Sequence, residues 1–256
     1  MYIKSLFVTV SFFTVATILF SENTNSRIEF TAEEGYSDGP LHTNINWLAP
    51  DRDVWTVYAS SGMLTVTNMN KWARAIYNMP NLNLNSNDYT CTETFSISFK
   101  KGSSAVVTNG ALPLGIIAFC NKDKNPEFMG ACIRQIKPNR FNFCILAKLN
   151  GKNENLFSSS FDGARLGLSI DEGGNWLDTE TDQLRFDFSL KHTGDKWVGV
   201  LSLKNITTES NIETITQVLK DDDGSFVKSD QALMLGSSSL RRNDITFKID
   251  AIELRN

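Results

Sequence analysis

The chain has few of the residues on which common chemistries are built. Its four cysteines, Cys91, Cys120, Cys132 and Cys144, never form a C-x-x-C pair, so a zinc site or a local dithiol motif finds no support. His42 and His192 are the two histidines, and His192 sits beside a turn, the place of a solvated side chain rather than a catalytic base. There is no G-x-S-x-G elbow and no Gly-rich phosphate loop. Lys and Arg are not grouped in a block and the formal net charge is −4, which argues against a nucleic-acid surface. No linker rich in Pro, Gly or Ser divides the chain, so a single domain is expected. No long amphipathic helix pattern occurs.

Long apolar runs are also missing, with one exception at the start. Lys4 followed by the apolar stretch Leu6–Phe20 has the form of an export signal, with Leu19 and Ser21 at the −3 and −1 positions. This predicts a signal peptide over 1–21 and a mature domain over 22–256, exported to the periplasm, the cell surface or the medium. The alternative is an uncleaved anchor. Beyond Phe20 no run approaches membrane-spanning length. In an exported chain the four cysteines allow up to two disulfides, in three connectivities; as small buried side chains they need none. Both readings stand.

What the sequence does have is alternation. In Leu184–Leu203, Leu184, Phe186, Phe188 and Leu190 alternate with Arg185, Asp187, Ser189 and Lys191, and Thr193-Gly194-Asp195 supplies turn chemistry. Pairing Leu190 with Trp197 and Phe188 with Gly199 makes one face apolar across both arms. Phe95, Ile97 and Phe99 repeat the pattern in Glu93–Lys100, and Leu114–Cys120 is the continuous apolar run of a strand covered on both sides. Phe128–Lys137 and Phe141–Leu149 flank Pro138-Asn139-Arg140 as a second hairpin. Asn150–Ser160 reads as a polar loop and Ala164–Asp171 as a strand with Leu166, Leu168 and Ile170 inward. Asn211–Lys220 fits a helix by the spacing of Ile212, Ile215 and Leu219, while its Thr and Ile content favours a strand. Asp244–Leu254 closes the chain with Ile245, Phe247 and Ile249 on one face. Repeated short strands with turns between them predict an all-β, two-sheet antiparallel sandwich.

Five tryptophans are the large rings that either fill the core or stack on a ligand. Trp197 is taken into the core by hairpin register, and Trp55 and Trp72 border strands. Trp176 follows the polar turn Asp171–Asn175 with no apolar stripe of its own, which marks it as a ligand-facing ring. Arg165 and Asp171 on one expected strand, and Arg185 and Asp187 on the other, project away from the apolar face. Together these five residues form the candidate ligand-binding set.

The segments Phe30–Trp47, Gly62–Val66, the central hairpin, Leu233–Ser239 and Phe247–Leu254, in that order, resemble the concanavalin A-like lectin and glucanase superfamily, specifically its laminin-G-like jelly rolls in secreted bacterial proteins. The resemblance implies two antiparallel sheets, one of them curved, and carbohydrate as the ligand class. It also implies a structural calcium ion held by Glu34, the Gly35 carbonyl and Asp250. The E-x-D-x-x-E strand of the glycosidase relatives and the R-x-E-x-R and Q-x-H motifs of the lyases are absent. A non-catalytic, lectin-like module is therefore expected, the alternatives being a glycan-cleaving enzyme with a different constellation or a structural envelope protein. Asp221–Ser225 is acidic but lacks EF-hand spacing, and Asn205-Ile206-Thr207 is a glycosylation sequon.

Overall fold

A computed structural model describes residues 26–51, 54–66, 73–78, 88–107, 112–121, 127–149, 151–194, 196–220, 226, 231–237 and 244–255. The expected signal peptide, Trp72 and the acidic run 221–225 lie outside the described residues.

Two antiparallel sheets face one another. The first has the order β14-β13-β12-β7-β16-β5-β4-β2, with β1 added beside β16. Its strands are β1 (Ser26–Ile28), β2 (Gly39–Pro40), β4 (Trp55–Tyr58), β5 (Met63–Val66), β7 (Asp88–Phe99), β12 (Leu184–Thr193), β13 (Lys196–Asn205), β14 (Ser210–Lys220) and β16 (Ile245–Arg255). The second has the order β11-β10-β9-β8-β15-β6-β3. Here the strands are β3 (Trp47–Leu48), β6 (Ala73–Tyr77), β8 (Leu112–Asn121), β9 (Phe128–Lys137), β10 (Arg140–Leu149), β11 (Lys152–Asp162) and β15 (Gln231–Ser237). The all-β sandwich read from the alternation is what the chain forms.

The core between the sheets is rich in aromatic rings. Phe95 and Phe247 stack at 5.1 Å within one sheet, and Phe119 stacks on Phe188 at 6.2 Å across the gap. Each such side chain contributes ~1.5–3 kcal/mol by leaving water. Gly115 lets Phe247 reach the opposite strand, because a Cβ there would meet the ring at 2.1 Å. The outer face of the second sheet is also apolar and buried: Ile76, Ile116, Ala118, Cys120, Cys132, Cys144, Leu146, Ala232 and Met234 form a second cluster. Leu114–Cys120 is thus covered on both sides, as its unbroken apolar run predicts.

Three local expectations need correction. The central hairpin pairs Leu190 with Gly199 and Phe188 with Leu201, two residues from the expected register. Thr193 pairs with Lys196, leaving Gly194 in the turn at φ +66°. The expected pairing would have put Thr193 in the turn, where a β-branched residue resists the positive φ that tight hairpins use. A shift of two preserves the faces, so the buried set is unchanged.

Asn150–Ser160 is mostly strand, not loop. β11 pairs with β10 through a turn with Gly151 at φ +72°, and as the edge of its sheet it can carry a polar sequence. Ala164–Asp171 is not a strand. It begins in a 3-10 turn over Gly163–Leu166 that ends at Gly167 with φ +80°, although Leu166 and Leu168 point inward as predicted.

The ambiguous segment is strand β14. Its helix-like spacing comes from a bulge, since Leu203 pairs with Glu213 and Lys204 with Asn211, leaving Ile212 without an opposite residue. The extra residue turns Ile212 and Ile215 to the same buried side.

Candidate functional site

The outward side of β12 carries the most concentrated charge interactions of the expected ligand set. Odd-numbered residues of β12 face away from the core, and neighbouring strands place Thr92 and Ser202 opposite Asp187, and Thr94 and Lys204 opposite Arg185. Asp187 collects three donors. Arg185 Nη2 donates to Asp187 Oδ2 at 3.2 Å, Thr92 Oγ1 donates to Asp187 Oδ1 at 3.1 Å, and Lys204 Nζ lies 2.7 Å from Asp187 Oδ2. The carboxylate holds both cations in place and cancels one of their charges. A fixed positive charge therefore remains, and Arg185 and Lys204 are 38% and 39% exposed. Along the same face Ser202 and Thr214 share a hydroxyl hydrogen bond at 2.9 Å, and Lys191 pairs with Asp88 at 3.5 Å. Val198 lies opposite Val218, which is half exposed, so the charged cluster is continued by a small aliphatic patch.

The other three members of the expected ligand set are elsewhere and do other work. Trp176 is 1% exposed. Backbone bonds from Trp176 to Ser103 O and from Gly102 to Trp176 O lay its segment along the chain that follows β7, and the ring enters the end of the sandwich. It packs on Phe99 of the first sheet at 4.4 Å and lies 6.2 Å from Phe141 of the second. Trp176 is a core plug, not a stacking ring, because residues distant in sequence supply the apolar surroundings its own turn lacks.

Arg165 donates through Nη2 to the carbonyls of Asn211, at 3.1 Å, and Ile212. These belong to the bulged stretch of β14, where the ladder is interrupted, so Arg165 caps the defect. Asp171 accepts the Asn175 backbone N–H at 2.8 Å and its side-chain amide at 3.3 Å. These hydrogen bonds hold its carboxyl below the usual carboxylate range. It organises its own turn.

Two of the expected calcium donors already have protein partners. Glu34 Oε2 accepts the Glu29 backbone N–H at 2.8 Å, while Asp250, a bulge residue of β16, accepts the Gln183 amide at 3.3 Å. No group of three or more His, Cys, Asp or Glu side chains able to hold a metal ion occurs among the described residues. The sequon asparagine is not presented either. Asn205 is 2% exposed, and its amide donates to Asp182 at 2.7 Å and to Arg165 O at 3.2 Å.

One chemically unusual group is Glu93. It lies between Cys91 and Phe95 on the inward side of β7, opposite Phe186 and Ile252, fully buried with neither carboxyl oxygen hydrogen-bonded. Burial pushes its pKa up to about 8. Position parity with Phe95 and Ile97 already places it on the apolar face. Such a carboxyl can serve as an acid where substrate reaches it, but this one is sealed between the sheets.

No protein-family model matches the sequence, and no curated protein matches it. Solved structures match by shape. The winged bean acidic lectin in complex with methyl-α-D-galactose is similar at TM-score 0.55 and 10% identity, covering 91% of this chain and 98% of that one. Arcelin-5, a lectin-like defence protein of Phaseolus vulgaris, gives TM-score 0.54 at 10% identity, with 91% and 97% covered. The CBM2 module of the evolved Dit of Lactobacillus casei BL23 phage J-1 gives 0.52 at 7%, with 91% and 96% covered. The chain has the concanavalin A-like jelly-roll fold. At these identities the likeness is one of fold alone.

Proposed function

We propose that the chain is an exported, non-catalytic carbohydrate-binding module whose glycan lies over the outward face of β12 and β13. The observation that carries this reading is the fixed cluster of Arg185, Asp187 and Lys204 on an open sheet face, with one positive charge in excess. A guanidinium already oriented by a carboxylate loses little freedom on meeting a ligand, and its remaining N–H groups suit the oxygens of a sulfate or uronate. Four residues of strand separate Asp187 from Lys191, ~13 Å, a span that accommodates two or three sugar rings. The Val198–Val218 pair offers apolar ground for a C–H face, in place of the aromatic ring that Trp176 does not supply. The lectin and carbohydrate-binding-module neighbours support the ligand class. The charged, apolar start of the chain supports export.

The non-catalytic reading rests on the missing E-x-D-x-x-E motif and on the sealed position of Glu93. An array presenting neutral, sulfated and uronate glycans tests the proposal. Preference for acidic glycans supports it, and a folded protein that binds none removes it in favour of a structural role.

A further inference from the structure

The second apolar cluster, on the outer face of the seven-stranded sheet, holds three of the four cysteines on adjacent strands. Cys120 belongs to β8, Cys132 to β9 and Cys144 to β10. Cys132 and Cys144 stand directly opposite one another in the β9–β10 ladder, whereas Cys120 stands opposite Phe128 and Ala232, and Cys91 lies in the main core. Directly opposed residues of an antiparallel pair have Cβ atoms ~4.5–5.5 Å apart, and a disulfide asks for ~3.5–4.5 Å with Cα atoms ~4.4–6.8 Å apart. Only a small adjustment separates the two geometries. Both thiols are free, Cys132 Sγ donates to the Ile133 carbonyl at 3.5 Å, and the Arg134 guanidinium acts on both sulfurs.

We propose that Cys132 and Cys144 are the site of a cross-strand disulfide that closes the β9–β10 hairpin, formed by exchange with a small-molecule disulfide.

The chemistry follows from the asymmetry of the pair. The neighbouring Cys132 thiol lowers the pKa of Cys144, with a smaller contribution from Arg134, while burial raises that of Cys132. Cys144 is therefore the attacking thiolate. It attacks one sulfur of the oxidant, forming a mixed disulfide and releasing the first thiol. Cys132 then loses its proton and attacks Cys144 Sγ, forming the Cys132–Cys144 bond and releasing the second thiol. Two cysteine thiols and one disulfide become one cysteine disulfide and two thiols. Arg134, two residues from Cys132 on the same face, stabilises the negative sulfur at each stage. Both cysteines are buried, so exchange takes place while the hairpin is open, during folding or local unfolding.

The full chain, reduced and then freed of reductant, is exposed to oxidised glutathione in two ways: as the folded protein, and during refolding from denaturant in a glutathione redox mixture. Remaining thiols are alkylated under denaturing conditions, and the digest is mapped by mass spectrometry. The expected result is a peptide pair joined through Cys132 and Cys144, loss of two of the four thiols, and alkylated Cys91 and Cys120. Cys91→Ser and Cys120→Ser leave the link in place, while Cys132→Ser or Cys144→Ser removes it. Four alkylated cysteines after both treatments, a link through Cys120, or only glutathione adducts would overturn the proposal. The wild-type map decides the question even if a variant fails to fold.

Discussion

Trp176 lies over Phe99 with ring centroids 4.4 Å apart, and so joins the loop 171–183 to the aromatic core. Removing the ring opens a cavity between the two sheets at the end of the sandwich. Trp176→Ala should lower unfolding stability by about 3–5 kcal/mol, and Trp176→Phe by clearly less. Urea unfolding of the purified variants measures this. A Trp176→Ala variant as stable as the parent would place the ring outside the core.

Glu93 should give the protein a characteristic pH profile. Its folded pKa is about 8 against an ordinary value of 4.5, so between these pH values the folded state keeps a proton that the unfolded chain has released. Its stabilising contribution is complete below the unfolded value and is lost as pH rises through the folded one, at up to ~1.4 kcal/mol per pH unit. Glu93→Leu should therefore gain stability relative to the parent from pH 5 to pH 8 and little at pH 4. Parallel stability curves for parent and variant would show that Glu93 keeps an ordinary carboxylate pKa in the fold.

Arg165 separates a structural role from a ligand-binding one. Arg165→Ala leaves the carbonyls of Asn211 and Ile212 to solvent and should cost about 1 kcal/mol, with glycan affinity unaltered. Denaturation and a binding titration on the same preparation distinguish the two. Lost affinity at full stability would return Arg165 to the binding surface.

These cases show which features could be read in the sequence. The alternation from Leu184 to Leu190 reports which side of a strand is buried, and it did so correctly even though the hairpin register differed by two, because parity survives such a shift. Edge strand β11 has no apolar alternation to report. The bulge at Ile212 breaks the period and imitates a helix. Trp176 and Arg165 take their roles from partners remote in sequence, Phe99 and Phe141 for one and the β14 bulge for the other, and no local pattern reports such pairings. Arg185 and Asp187 were legible because a strand's polar side follows directly from its apolar one. Lys204, their third member, becomes apparent only once the register places it opposite Arg185.

The most direct measurement is a titration of the best acidic glycan from the array against the intact protein, Arg185→Ala and Lys204→Ala. A charge-assisted contact contributes ~1.5–3 kcal/mol, so each substitution should weaken binding at least about tenfold. The parent's affinity should also fall as salt is added. Folded variants that bind as tightly as the parent, with no dependence on salt, would contradict a glycan site on the face of β12 and β13.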